Sequence, residues 1–126
     1  MRLLAALLAV AILGTAHADE LPACASSSQV VGACFKVRGR LTSCSGVPSV
    51  RIWVVGTKRI LGVADPTGNV AGERLMPGSL DRAFTAPCNR AAFGDFTICP
   101  LENDRPGVMR RVCITKTDCV RFQEDW

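Results

Sequence analysis

Tyrosine is absent from this chain, and the one histidine, His17, falls inside a leader. Beyond the leader no imidazole can serve as a base. That excludes Ser-His-Asp and Cys-His nucleophile pairs and the HExxH zinc motif. No C-x-x-C pair occurs among the seven cysteines, which removes the usual zinc spacings and a thioredoxin-type redox motif. Gly56, Gly62 and Gly68 lack the spacing of a phosphate-cradling loop and the helix that follows one. After the leader, no stretch is long and apolar enough to cross a bilayer. No catalytic residue, cofactor site or metal site is therefore expected.

What is present begins with export. Arg2 supplies a positive start, Leu3 to Leu13 is an unbroken apolar run of 11 residues, and Ala16-His17-Ala18 offers small residues for cleavage. The run is too short to span a bilayer, which takes about 20 residues, so residues 1–18 read as a secretory signal. A second processing site competes with it. Leu21-Pro22-Ala23-Cys24 loosely fits the rule by which bacterial lipoproteins are cut and lipidated at cysteine. Asp19, Glu20 and the proline beside the cut speak against it. Cleavage after Ala18 takes 18 of the 126 residues and leaves 108, enough for one small domain.

Seven cysteines at positions 24, 34, 44, 88, 99, 113 and 119 are dense for that size. An exported chain meets an oxidising compartment, so structural disulfides are the expectation, each contributing roughly 2–4 kcal/mol. Cys34, Cys44, Cys88, Cys99, Cys113 and Cys119 are the candidates for bridges. Cys24 is the candidate for a free or lipid-bearing residue, and a lipid there would account for the odd count.

Along the chain, residues 19–33 are small and polar and read as a flexible arm, followed by a single domain over 34–126. Phe35, Val37 and Leu41 fall on one face and Lys36, Arg38 and Arg40 on the other, as a half-buried strand requires. Val50, Ile52 and Val54 alternate with Arg51, Trp53 and Val55 in a second strand. Gly56-Thr57 then breaks the pattern and Arg59 to Val63 resumes it, which implies a hairpin. Asp65 to Asn69 is a concentrated turn signal. Residues 70–92 are irregular, with one helical turn expected over Leu80 to Phe84. Phe96 and Ile98 mark another strand, and Val108 to Ile114 a further one. Thr117-Asp118 reads as a turn into Cys119 to Phe122. Short strands with little helix predict an all-β fold, a sandwich with a small barrel as the alternative.

Positive charge comes mainly from arginine, 12 Arg against 3 Lys. Arg51 and Trp53 share a strand face, and Lys58 and Arg59 sit beside the hairpin. These four are the candidate partner surface, suited to an anionic glycan or a protein of the envelope. Export argues against nucleic acid as a partner. The solvated side of an ordinary sheet is the plain alternative, with arginine stems covering apolar surface. Asp95, Glu102 and Asp104 are the closest group of carboxylates. Acids in a Pro/Gly-rich loop are usually just solvated, so a carboxylate-dependent hydrolase ranks third.

Two resemblances add to this. Gly39-Arg40-Leu41 and Gly46 to Thr57 resemble the first hairpin of carboxypeptidase-regulatory-like and transthyretin-like domains, which implies a prealbumin-type β-sandwich. Arg51-Ile52-Trp53-x-Val55-Gly56-Thr57-x-Arg59, with Phe93 to Leu101, Arg105-Pro106-Gly107 and Val112-Cys113-Ile114, is similar to a family of uncharacterised exported proteins of Gram-negative bacteria. That likeness implies a shared small domain with no established activity. If Cys34, Cys99 and Cys113 belong to the common core, it implies a bridge from Cys34 to one of the other two. The leading expectation is a non-catalytic binding or structural module, periplasmic or extracellular. The alternative is a small inhibitor of an envelope-directed protease or lysozyme, its blocking loop drawn from residues 65–92.

Overall fold

The protein is described here from a computed structural model, which covers residues 22–70 and 75–124. The leader lies outside the described residues. Five strands form where alternation is strongest: β1 (Phe35–Ser43), β2 (Val50–Val54), β3 (Ile60–Val63), β4 (Ala91–Pro100) and β5 (Arg110–Gln123). Two four-residue helices accompany them, α1 (Pro22–Ala25) and α2 (Gly78–Asp81). Among the described residues no helix is long and apolar enough to cross a membrane.

The strands close into one barrel in the order β1-β2-β3-β5-β4, with β4 returning to β1. This is the small barrel held as the alternative rather than the prealbumin-like sandwich. A sandwich needs two sheets with free edges. Here β1 is paired on both sides, by β2 through Gly39–Ser43 and by β4 through Phe35–Thr42. The gap that remains is bridged by a parallel contact of Leu61–Val63 with Arg110–Val112. Closure leaves far less strand edge exposed than an open sheet would.

The inward residues of all five strands meet in one core, with Phe96, Leu41, Ile52, Leu61, Ile98 and Ile114 at 1% exposure or less. Phe96 fits because Gly39, its diagonal neighbour on β1, has no side chain: a Cβ there would stand 2.5 Å from Ile52 Cγ2 and 3.1 Å from the Phe96 ring. Leu75, Met76 and Leu80 complete the same core from the segment between β3 and β4. The blocking loop of the inhibitor reading is in this part built into the core.

Two further expectations change. β4 begins at Ala91, five residues before Phe96, and Thr117-Asp118 does not reverse the chain. β5 instead runs straight through, absorbing an extra residue as the register shifts between Phe93↔Arg121 and Asp95↔Asp118. Cys119 sits in that bulge with φ 53°.

The bridges are Cys24–Cys113, Cys34–Cys99 and Cys44–Cys88, and Cys119 is the free, exposed thiol. Cys34 thus bonds to one of the two partners expected for it. Cys24 and Cys119 exchange the roles assigned from sequence. A sulfur already bonded to Cys113 cannot carry a thioether-linked lipid. The described part of the expected flexible arm is also tied down. Cys24 is 1% exposed, Val31 N–H donates to the Pro100 carbonyl at 2.9 Å, and Ser27 Oγ donates to the Pro66 carbonyl at 2.6 Å. Cys24, Ala64, Cys99, Leu101 and Cys113 form a second, smaller buried cluster beneath it.

Candidate functional site

Two loops build a cleft at the surface. The first is the β2–β3 hairpin, turned by Gly56 at φ 80° and held by Thr57, whose hydroxyl donates to the Val54 carbonyl at 2.7 Å. The second joins β4 to β5. In it Pro106 and Gly107, the latter at φ 73°, form the centre of a turn closed by Val108 N–H to the Arg105 carbonyl at 3.2 Å. Proline second and a positive-φ glycine third is the requirement of a type II turn. Between the loops lies a cleft of about 750 Å³ lined by Lys58, Arg59, Ile60, Asp104, Arg105 and Met109, among others.

Three cations therefore face one carboxylate. Arg59 Nη2 donates to Asp104 Oδ1 at 2.6 Å, bridging the two loops. That hydrogen bond and the guanidinium charge hold the Asp104 carboxyl below its usual range, and they raise Arg59 in turn. Lys58 and Arg105 have no acidic partner among the described residues. A carbon-detected NMR titration should place the Asp104 midpoint below about 3.9, the ordinary aspartate value. An Arg59→Ala variant should return it towards that value. The sign follows from a depressed acid: the bridge between the loops is intact above the ordinary aspartate value. It is lost as pH falls through the depressed midpoint of Asp104.

The four residues of the expected partner surface divide between this cleft and the adjoining sheet. Lys58 and Arg59 line the cleft. Trp53 lies on the outward side of β2, its indole N–H donating to the Thr57 carbonyl at 2.6 Å. Arg51 turns away, donating from Nε to the Pro48 carbonyl at 3.0 Å. Ile60 joins the two parts, since it lines the cleft and is the register partner of Trp53. Trp53 in turn faces Arg40, which faces Phe93. The Arg40 guanidinium stands 6.0 Å from the centre of the Phe93 ring. An outward strip of Phe93, Arg40, Trp53 and Ile60 so leads to the cleft.

Nothing in the sequence marks Arg105 or the strip residue Phe93 as part of a site. Lys36, Arg38 and Arg40 read as one basic strand face, but nothing local shows that β4 brings Phe93 beside it. Each of the three carboxylates considered for acid–base work is paired with a different arginine: Asp95 with Arg38 at 3.4 Å, Glu102 with Arg111 at 3.3 Å, and Asp104 with Arg59. Glu102 also accepts the Arg111 backbone N–H at 2.8 Å.

No family model, curated protein or solved structure matches this chain.

Proposed function

We propose that the protein is a non-catalytic binding module of an oxidising, extracytoplasmic compartment, and that its ligand is an acidic oligosaccharide of the cell envelope. The observation that carries this reading is the cleft, where Lys58, Arg59 and Arg105 stand against Asp104 alone. A surplus of cations in a concave, partly apolar site attracts a polyanion and raises its local concentration. The strip beside it adds apolar surface for a sugar chain: Trp53 and Phe93 are half-buried aromatics on the outer side of the sheet, with the Arg40 guanidinium over the Phe93 ring. Five-stranded Greek-key barrels of the OB type bind oligosaccharides or oligonucleotides on their sheet face. That is an analogy of architecture, and the ligand class rests on the residues. Three disulfides suit the compartment.

The test is calorimetric titration with an oligogalacturonate, at low and at high salt. Binding should weaken as salt rises, because exposed charges are screened. Each exposed cation contributes about 0.2–1 kcal/mol, so Lys58→Ala with Arg105→Ala should lower affinity roughly two- to thirtyfold. Binding that ignores both salt and this double substitution removes the reading.

A further inference from the structure

Two of the three bridges lie side by side. Cys99 on β4 and Cys113 on β5 are register partners, and their sulfurs lie with that of Cys24 within 4.8 Å of one another. All three residues are buried, at 1% exposure or less. Cys34, bonded to Cys99, is exposed. The four sulfurs so form a path from the surface inward: Cys34, Cys99, Cys113, Cys24. Its two ends belong to the segment before β1, and its two middle members to the barrel.

We propose that Cys34 is the attack site for an external dithiol, such as the reduced pair of a thiol–disulfide oxidoreductase, and that the buried sulfurs relay the exchange to Cys24. The incoming thiolate bonds to Cys34 Sγ, the Cys34–Cys99 bond breaks, and its electron pair leaves on Cys99. The Cys99 thiolate then attacks Cys113 Sγ, forming Cys99–Cys113 and expelling Cys24, which takes up a proton. The second thiol of the reductant resolves the mixed disulfide, leaving as the oxidised cyclic or bridged form and releasing Cys34 as a thiol. One dithiol is oxidised, and the protein gains two thiols while keeping two bridges.

The relay suits the fold because the product bridge lies in a place already built for it. Opposed residues of an antiparallel pair stand about 4.5–5.5 Å apart at Cα, and disulfides accept about 4.4–6.8 Å. The barrel thus trades two tethers for one internal cross-link. Residues 24–34 lose both covalent anchors at once, and Ala64 and Leu101 beneath them are uncovered. Simple reduction of Cys34–Cys99 would free one anchor and leave the other.

Thiol mapping decides between these. Cys119 lies six residues along β5 from Cys113, roughly 20 Å of strand, and is first blocked with iodoacetamide in the folded, oxidised protein. Limiting dithiothreitol is then added, the reaction is quenched in acid, and new thiols are labelled with N-ethylmaleimide. The expected result is label on Cys24 and Cys34, loss of the Cys24–Cys113 linked peptide and appearance of a Cys99–Cys113 linked peptide. Label on Cys34 and Cys99 with Cys24–Cys113 retained would overturn the relay, as would first opening of Cys44–Cys88. A Cys34→Ser chain gives a second reading without reductant: its new thiol should be found at Cys24, and finding it at Cys99 would equally overturn the proposal.

Discussion

Phe96→Ala should lower unfolding stability by about 3–5 kcal/mol, the range for truncating a fully buried phenylalanine. The ring is 0% exposed and belongs to the cluster that also holds Leu41, Ile52 and Ile98. Its removal leaves a void that rigid strands on every side of a closed barrel cannot collapse to fill. At about 4–8 °C per kcal/mol for a domain of this size, the melting temperature should fall by at least about 12 °C. Urea unfolding with an unchanged slope would establish the loss as one of stability. Because the space beside the ring exists only where Gly39 lacks a Cβ, a Gly39→Ala change in the Phe96→Ala background should cost less than the same change in the native chain. The paired measurement separates packing from backbone effects.

Replacing both Cys24 and Cys113 by alanine should cost about 3–4 kcal/mol, because with Cys34–Cys99 still bonded the bridge closes only the short loop made by residues 24–34 and 99–113 of the unfolded chain. Removing Cys44–Cys88 should cost a similar amount, since it too only subdivides a ring already closed by Cys34–Cys99, and a twofold difference in loop length changes the entropy by only about 0.6 kcal/mol. Any excess for Cys24–Cys113 should come mainly from the second buried cluster, where Cys24 and Cys113 pack against Ala64 and Leu101. Denaturant curves of the two double variants, measured side by side, test this. A difference of several kcal/mol would mean that cluster, and not loop closure, dominates. Equal curves would make the cluster energetically minor.

The sequence was legible where a local period carried the information. Phe35 to Leu41 and Val50 to Val54 alternate visibly, and both are strands. Asp65 to Asn69 is a turn because the Asp65 carboxylate accepts the Thr67 and Asn69 backbone N–H groups at 2.9 and 3.1 Å, which residue types alone suggest. Alternation says nothing about which edges meet. The choice between sandwich and barrel rests on three residue pairs between β3 and β5, nearly fifty positions apart, and no local signal marks them. Thr117-Asp118 has the composition of a turn, and only the pairing of Thr117 with Phe96 and of Asp118 with Asp95 keeps it in the strand. The same division holds at the cleft. Lys58 and Arg59 stand out as neighbours, whereas Asp104 and Arg105 join them only because the β4–β5 loop folds back over the hairpin. Cys24 reads from sequence as the free or lipid-bearing residue for a similar reason, its partner being the farthest any bridge reaches.

The bridges are nested along the chain. Written in sequence, 24 with 113 encloses 34 with 99, which encloses 44 with 88, like three pairs of brackets. A chain that emerges from its amino end presents Cys24, Cys34 and Cys44 before any native partner exists. From Cys88 onward, each newly arriving cysteine belongs to the most recent one still waiting, and no closed loop has to be reopened for the next. Cys119 arrives after the last bracket has shut.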